Sequence, residues 1–333
     1  MSVSNQKADS KKRFVLYLCV TLIGFVAAEV MSFALPNTQG LKLKINPHVA
    51  DDLAYRVALA GLFLLYLGIG IFSAFRRDRR EKFIKRAPFR LAIGLLLLTW
   101  DLLASKLDIL HLPFFPGPSS VVNVLREEPL YLLLQTGFSI RLFFAGFLSG
   151  VVLGVGTGIL IGWFARAKYW VMPVLKITGV IPAVAWMPIA LSVFHKGFYA
   201  GTFLVSMCGW FPIAFMTAQG MANTQKTYFE VAKTLGAKTP YLLFRVALPN
   251  ALPNIFTGIT TANGLAFTML VVSEMMGAKG GLGYYITLAR QVSNYYKIYA
   301  AIIIMAVLFS LILKLVNFIR GRVLIWQRGL INE

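Results

Sequence analysis

Long apolar runs alternate with short polar segments along the whole chain. A helix needs about 20 mostly apolar residues to cross the hydrocarbon of a bilayer. Eight windows qualify: residues 14–35, 53–75, 88–106, 134–163, 169–193, 198–220, 253–277 and 298–319. The pattern predicts an all-α polytopic membrane protein with about eight transmembrane helices. The first run follows Lys11, Lys12 and Arg13. It is too long for a secretory signal and more spans follow it, so it reads as an anchor. The fifth window is interrupted by Pro173, Pro182 and Pro188. The first two spans are plain apolar segments, whereas those after the basic run Arg76–Arg90 carry Gly, Pro and polar residues, as helices that line something do. The chain therefore divides into an N-terminal two-helix extension with a basic cytoplasmic loop, residues 1–86, and a six-helix core, residues 87–333.

Composition agrees: of 333 residues, 58% are hydrophobic and 14% charged, with a mean hydropathy of +0.70. The formal charge of +20 is compatible with nucleic acid or an anionic lipid surface. Its distribution decides. With a cytoplasmic N-terminus, the inner segments hold 21 of the 33 Lys and Arg, while the outer ones hold seven, Lys42 and Lys44 among them. This bias places both termini inside and attributes the charge to topology, with no nucleic-acid partner. The run Arg76–Arg90 reads as a solvated loop that pins topology, the alternative being contact with anionic membrane lipid. Cys19 and Cys208 lie in apolar runs, and His48, His111 and His195 are scattered, so no metal site is expected. No cluster of nucleophile and base suggests a catalytic site.

Within the core, Gly146, Gly150, Gly154, Gly158 and Gly162 recur every fourth residue and form one stripe on a helix. Such a stripe lets another backbone approach closely. Pro182 and Pro188 flank Trp186, which fits either a kinked packing helix or a pathway wall. Arg141 and Glu274 are ionisable groups inside spans and so default functional candidates. Arg141 either faces an anionic substrate or pairs with Glu274 or a carbonyl. Asp101 and Lys106, near the outer end of the third span, read as snorkelling groups. Thr260, Thr261, Asn263 and Thr268 offer neutral hydrogen-bonding groups for a solute or for helix contacts. In His111–Pro129 a turn-rich stretch precedes a short helix, for which Ser119 or Ser120 is the expected N-cap.

Tyr228–Asn250 is the polar exception between two spans. Phe229, Ala232 and Leu235 share one helical face, Gly236 suits a left-handed C-terminal residue, and Thr239–Pro240 reads as N-cap and N1 of a second helix that ends at Pro249. This predicts two short helices around a sharp bend, a shape that docks in a partner's groove or lies at the interface.

The order Glu230, Ala232, Gly236, then Val246, Leu248 and Pro249 resembles the EAA loop of binding-protein-dependent ABC importer permeases, with Val231 and Val246 departing from Ala and Ile. The likeness extends through "IPAVAWMPIALSVF", "NALPNIFTGITTANGLAF" and "VVSEMMGAKGGLGYYI". It covers about residues 88–325 and resembles the nitrate, sulfonate and taurine type. It implies a type I importer core in a bacterial inner membrane and a coupling loop at about 221–252. Glu230, Val231, Ala232, Leu235, Gly236, Ala237, Leu248 and Pro249 would contact the ATPase. It further implies a pathway formed by two permease copies, two cytoplasmic ABC ATPase subunits carrying ATP and magnesium, and an external solute-binding protein. Arg141, Trp186, Thr261, Asn263 and Glu274 are the pathway candidates, for a small solute of the nitrate, sulfonate, taurine or bicarbonate class. The chain has no G-x-x-x-x-G-K-[ST] phosphate loop, so ATP hydrolysis falls to another chain. The rival reading, an ion-coupled carrier or channel without an ATPase, calls for an intramembrane acid or histidine relay and an internal repeat that the sequence lacks.

Overall fold

The computed structural model describes residues 3–38 and 51–326, with side chains from Arg13 onward except Arg77. Lys42, Lys44, His48 and the two ends of the chain lie outside the described residues. All regular structure among the described residues is helical. Seven helices are long and apolar enough to cross a membrane, and a bent helix pair makes an eighth candidate. By contact density the chain forms two compact units, Met1–Leu130 with Ala289–Ala300, and Tyr131–Leu288 with Ala301–Glu333.

The first unit contains α1 (Val3–Ala34), α2 (Leu53–Ala74), α3 (Arg77–Trp100) and α4 (Pro118–Glu127). α1 and α3 cross where Gly24 faces Gly94: a Cβ on Gly94 would lie 2.7 Å from the Gly24 backbone. Beside that crossing Phe25, Ala28, Tyr55 and Leu59 are fully buried. The basic run is helical, not a loop. It forms the first turns of α3, with Arg79 and Arg90 over the rings of Phe72 and Phe83 at 4.3 and 4.0 Å. Stacking and buried side-chain stems let these cations continue the helix. Nor does Lys106 snorkel. At the end of a π-helical turn (Asp101–Lys106), its side chain is only 1% exposed and its Nζ lies 2.8 Å from Asp52 Oδ2 at the start of α2. α4 opens at Pro118 with Gly117 as N-cap, so neither Ser119 nor Ser120 caps it; the proline takes the first helical position, whose N–H would have no partner in the helix.

The second unit holds most of α5 (Pro129–Trp163), then α6 (Ala165–Val180), a 3₁₀ turn (Ala183–Trp186), α7 (Met187–Val193) and α8 (Gly197–Ala222). After these come α9 (Lys226–Thr234), α10 (Thr239–Met276) and α11 (Leu282–Gln291). The part of α12 (Tyr295–Val323) from Ala301 onward completes it. The fifth window is not a straight span: its two helices meet at 101°. Pro182 and Pro188 each lack a donor, and the 3₁₀ turn between them takes up the break.

All five stripe glycines of α5 face α8. A Cβ on Gly146, Gly154 or Gly158 would lie 2.6, 2.7 or 2.4 Å from the Cβ of Val205, Ile213 or Thr217, and one on Gly150 would lie 2.8 Å from the Ser206 carbonyl. The two helices run in the same direction in near backbone contact. On an adjoining face, sharing Ile213, α8 meets α10 antiparallel through Gly220, against Ala251 and Asn254, and Gly258, against Ile213 and Met216. Substituting Leu for Gly158 should therefore destabilise the detergent-solubilised protein by about 1–3 kcal/mol. Gly156→Leu, with nothing within 4 Å of the added Cβ, should leave thermal unfolding near that of the parent; equal melting of the two variants would refute the seam.

Candidate functional site

Between α8 and α10 the chain leaves the bundle and returns. The base of this excursion is closed by the Asn250 amide, which donates to Thr224 Oγ1 at 3.1 Å. α9 projects from it with no buried residue of its own. It ends in a Schellman motif. The N–H of Gly236 donates to Lys233 O at 2.9 Å and that of Ala237 to Ala232 O at 3.0 Å, which satisfies two C-terminal carbonyls. Gly236 has φ +81°, and nothing lies within 4 Å of where its Cβ would be. The glycine is thus required by backbone conformation, not by lack of space.

Lys238, not Thr239, stands at the N-cap of the next helix, with Pro240 in its first turn. That helix does not end at Pro249. A π-helical turn over Leu242–Ala247 runs straight into Leu248–Met276. The proline, having no N–H and a ring that crowds the preceding turn, is accommodated where the wider turn gives up the regular hydrogen-bond pattern. The predicted second short helix is therefore the first part of a 38-residue span.

α9 is a ridge between two grooves. One, of about 1000 Å³, is lined by Val231, Ala232, Leu235, Gly236, Ala237 and Pro249 among others; the other, of about 470 Å³, by Glu230 with Lys226, Lys233 and Phe229. Leu235 is 83% exposed. Leu248 takes neither groove and packs instead on the cluster of Met221, Ala247, Ala251 and Ile255 at the base of the excursion. Sequence reasoning did not pick out Tyr228, Lys238, Tyr241, Arg245 or Trp326, all of which line the larger groove. The first four sit beside the motif, and their exposed aromatic and basic character was the available signal. Trp326 lies at the far end of the chain and gave none.

The span candidates fall into separate environments. Glu274 is 1% exposed. Its Oε2 accepts from Ser139 Oγ at 3.0 Å and from the N–H of Gly283 at 2.9 Å, while Ser139 Oγ accepts from the N–H of Leu282 at 2.9 Å. Gln135 Oε1 accepts from the N–H of Gly281 at 2.7 Å. One carboxylate, one hydroxyl and one amide thus cap the N-terminus of α11 and tie it to α5 and α10, where the helix dipole favours negative charge. Arg141 is not Glu274's partner. Two residues from Ser139, it lies about 200° round the helix, exposed, with its guanidinium 5.1 Å over the Phe198 ring. Asn263 is fully buried with neither amide atom hydrogen-bonded, and the half-buried Trp186 has an unpartnered Nε1 at the 3₁₀ turn. Thr261 is exposed and donates to Thr257 O at 3.1 Å. Among the described residues no group of His, Cys, Asp or Glu is arranged to hold a metal.

Residues 150–324 match the family described as the binding-protein-dependent transport system inner membrane component. The chain belongs to this family. It is 32% identical over 69% of its length to 84% of the aliphatic sulfonates transport permease protein SsuC of Bacillus subtilis. The nitrate import permease protein NrtB of Leptolyngbya laminosa is 29% identical, over 73% of this chain and 89% of that one. The bicarbonate transport system permease protein CmpB of Synechococcus elongatus is 29% identical, over 66% and 81%. In fold the permease resembles a chain of the inward-facing methionine ABC transporter MetNI, with a TM-score of 0.51, 20% identity and coverage of 59% of this chain and 98% of that one. It is a multi-pass, all-helical ABC importer permease.

The Glu274 cap yields a test within the permease. In Glu274→Ala, Ser139 and Gly283 lose their acceptor in a buried site, at roughly 1–3 kcal/mol for each donor left unpaired. Glu274→Gln keeps an acceptor oxygen and should lose less. Thermal unfolding in detergent should rank the parent above Gln and Gln above Ala, and an Ala variant as stable as the parent would remove the cap from the argument.

Proposed function

We propose that this chain is the membrane-spanning subunit of an ATP-driven importer for a small anion, and that α9 and the bend at Gly236 couple it to a separate cytoplasmic ABC ATPase. The observation that carries this reading is the Schellman-closed ridge. In a chain of this family the residues of the E-V-A-x-x-x-G motif lie on an exposed helix that is anchored through Phe229 on the cluster at its base and closed at Gly236 by backbone hydrogen bonds, the form expected of an element that seats in a partner's groove. The basic loops support a cytoplasmic location for it and for both termini. The chain lacks a phosphate loop, so ATP and magnesium belong to two ATPase subunits. A second permease copy would complete the pathway and a solute-binding protein would deliver substrate from outside. Residues 1–86 would be an extension to a core spanning residues 87–333.

The solute class is supported by relatives named for sulfonates, nitrate and bicarbonate, and by Arg141, an exposed cation within a span. Trp186, Thr261 and Asn263 would supply neutral contacts along the pathway. Glu274 would hold its outer end.

A β-branched residue at Gly236 must adopt a left-handed conformation that costs about 1–2 kcal/mol or more, so Gly236→Val should lower transport per ATP hydrolysed by roughly tenfold. Gly236→Asn, which tolerates positive φ, should retain most of it. Both are read in proteoliposomes containing ATPase and binding protein, and normal coupled transport by the Val variant would overturn the assignment. Arg141→Gln should reduce anion uptake while ATPase binding and thermal stability stay at the parent level; a parallel fall in stability would make Arg141 structural only.

A further inference from the structure

The larger groove beside α9 has a wall that the motif does not supply. Three of its walls come from Tyr228, Val231 and Leu235 on α9 and Tyr241 at the start of α10, all largely exposed. The remaining wall is Trp326, just beyond α12 and 53% exposed. Five large apolar or aromatic side chains thus line one concavity of about 1000 Å³. A contiguous exposed patch of this kind marks an interaction surface, and rigid aromatic side chains in a pocket are its usual anchors. Among the described residues, the charged groups lining the groove are Lys238 and Arg245, with no carboxylate.

We propose that Trp326 is part of the ATPase-docking surface, and that the ATPase presents to this groove an apolar ridge flanked by carboxylates. This rests on the reading of α9 as the ATPase-docking element and extends it. The EAA-like motif ends at Pro249, so the docking surface is composite: α9 and its bend contribute one side and the end of α12 the other. Apolar contact supplies the anchoring, while Lys238 and Arg245 give orientation and speed of encounter through charge complementarity. Because Trp326 follows the last span and α9 lies between two others, a partner seated in the groove touches two distant parts of the core at once.

The test measures binding of the co-expressed ABC ATPase subunit to the full-length chain in detergent. Trp326→Ala should weaken binding by about tenfold, the effect of losing an aromatic anchor, and Trp326→Phe should restore most of it. Lys238→Glu with Arg245→Glu should weaken binding comparably and flatten its dependence on salt. Leu235→Asp separates the two levels of the argument. If Leu235→Asp abolishes binding while the Trp326 and charge-reversal variants bind as the parent does, the composite surface is wrong and the α9 assignment stands. If Leu235→Asp also binds normally, the α9 assignment falls and the composite surface with it. A Trp326→Ala variant that binds the ATPase normally but partitions less onto anionic-lipid vesicles would identify the tryptophan as an interfacial lipid anchor, and would overturn the proposal.

Discussion

Helices already in lipid gain nothing by hiding apolar side chains from one another, so what holds this core together is close approach. The seam between α5 and α8 shows the constraint most directly: five glycines, one per turn, place α5 so near its neighbour that most added Cβ atoms would meet α8 at under 3 Å. At that distance many small dispersion contacts and backbone dipoles act together. The seam also fixes the direction and rotation of α8. α8 in turn presents Gly220 to α10 and receives Gly258 from it. The position of α10 is thus set by two successive contacts in which one side chain too many would force the helices apart.

α10 runs from the ridge to the far end of the span without a loop. Thirty-eight helical residues reach about 57 Å at 1.5 Å per residue. Near one end the helix is tied to α8 by Asn250 and Thr224, and near the other Glu274 joins it to α5 and α11. Both ties are polar. Where water is scarce an unpaired donor or acceptor is costly, so these few hydrogen bonds fix register more firmly than the surrounding apolar contacts, which slide at little cost.

Much of this was legible in the sequence because it depends on periodicity. Seven of the eight apolar windows fall on helices able to span, the four-residue glycine repeat matches the seam, and Gly236 marks the bend, since only its backbone conformation was needed to expect it. What was not legible depends on partners far away in the chain. Lys106 looks like a snorkelling residue until Asp52 is brought beside it. Arg141 and Glu274 look like a pair because each lacks another opposite charge in its span, but Oε2 of Glu274 accepts from Ser139 and the amide of Gly283, and Arg141 lies over the Phe198 ring. The basic run looked like a loop because charge was counted and the aromatic rings that stack beneath it were not. Pro249 looked like a terminator because a proline inside a helix usually is one, and nothing local announces the π-helical turn that admits it.

The motif that stands out as one unit in the sequence therefore performs two physical tasks. Glu230 through Ala237 make a surface: a short ridge, exposed on both flanks and closed by backbone hydrogen bonds. Leu248 and Pro249 make a foundation: Leu248 is packed into the cluster at the base, and Pro249 begins the regular part of α10. The two are separated by a bend with no bulky side chain and joined by a helix with no break. The ridge meets the bundle through Thr239–Ala247 into α10 and through Phe229 on the cluster at the base. Helix is continuous from Thr239 through Pro249, so the position of the bend is set by the foundation on which Leu248 packs.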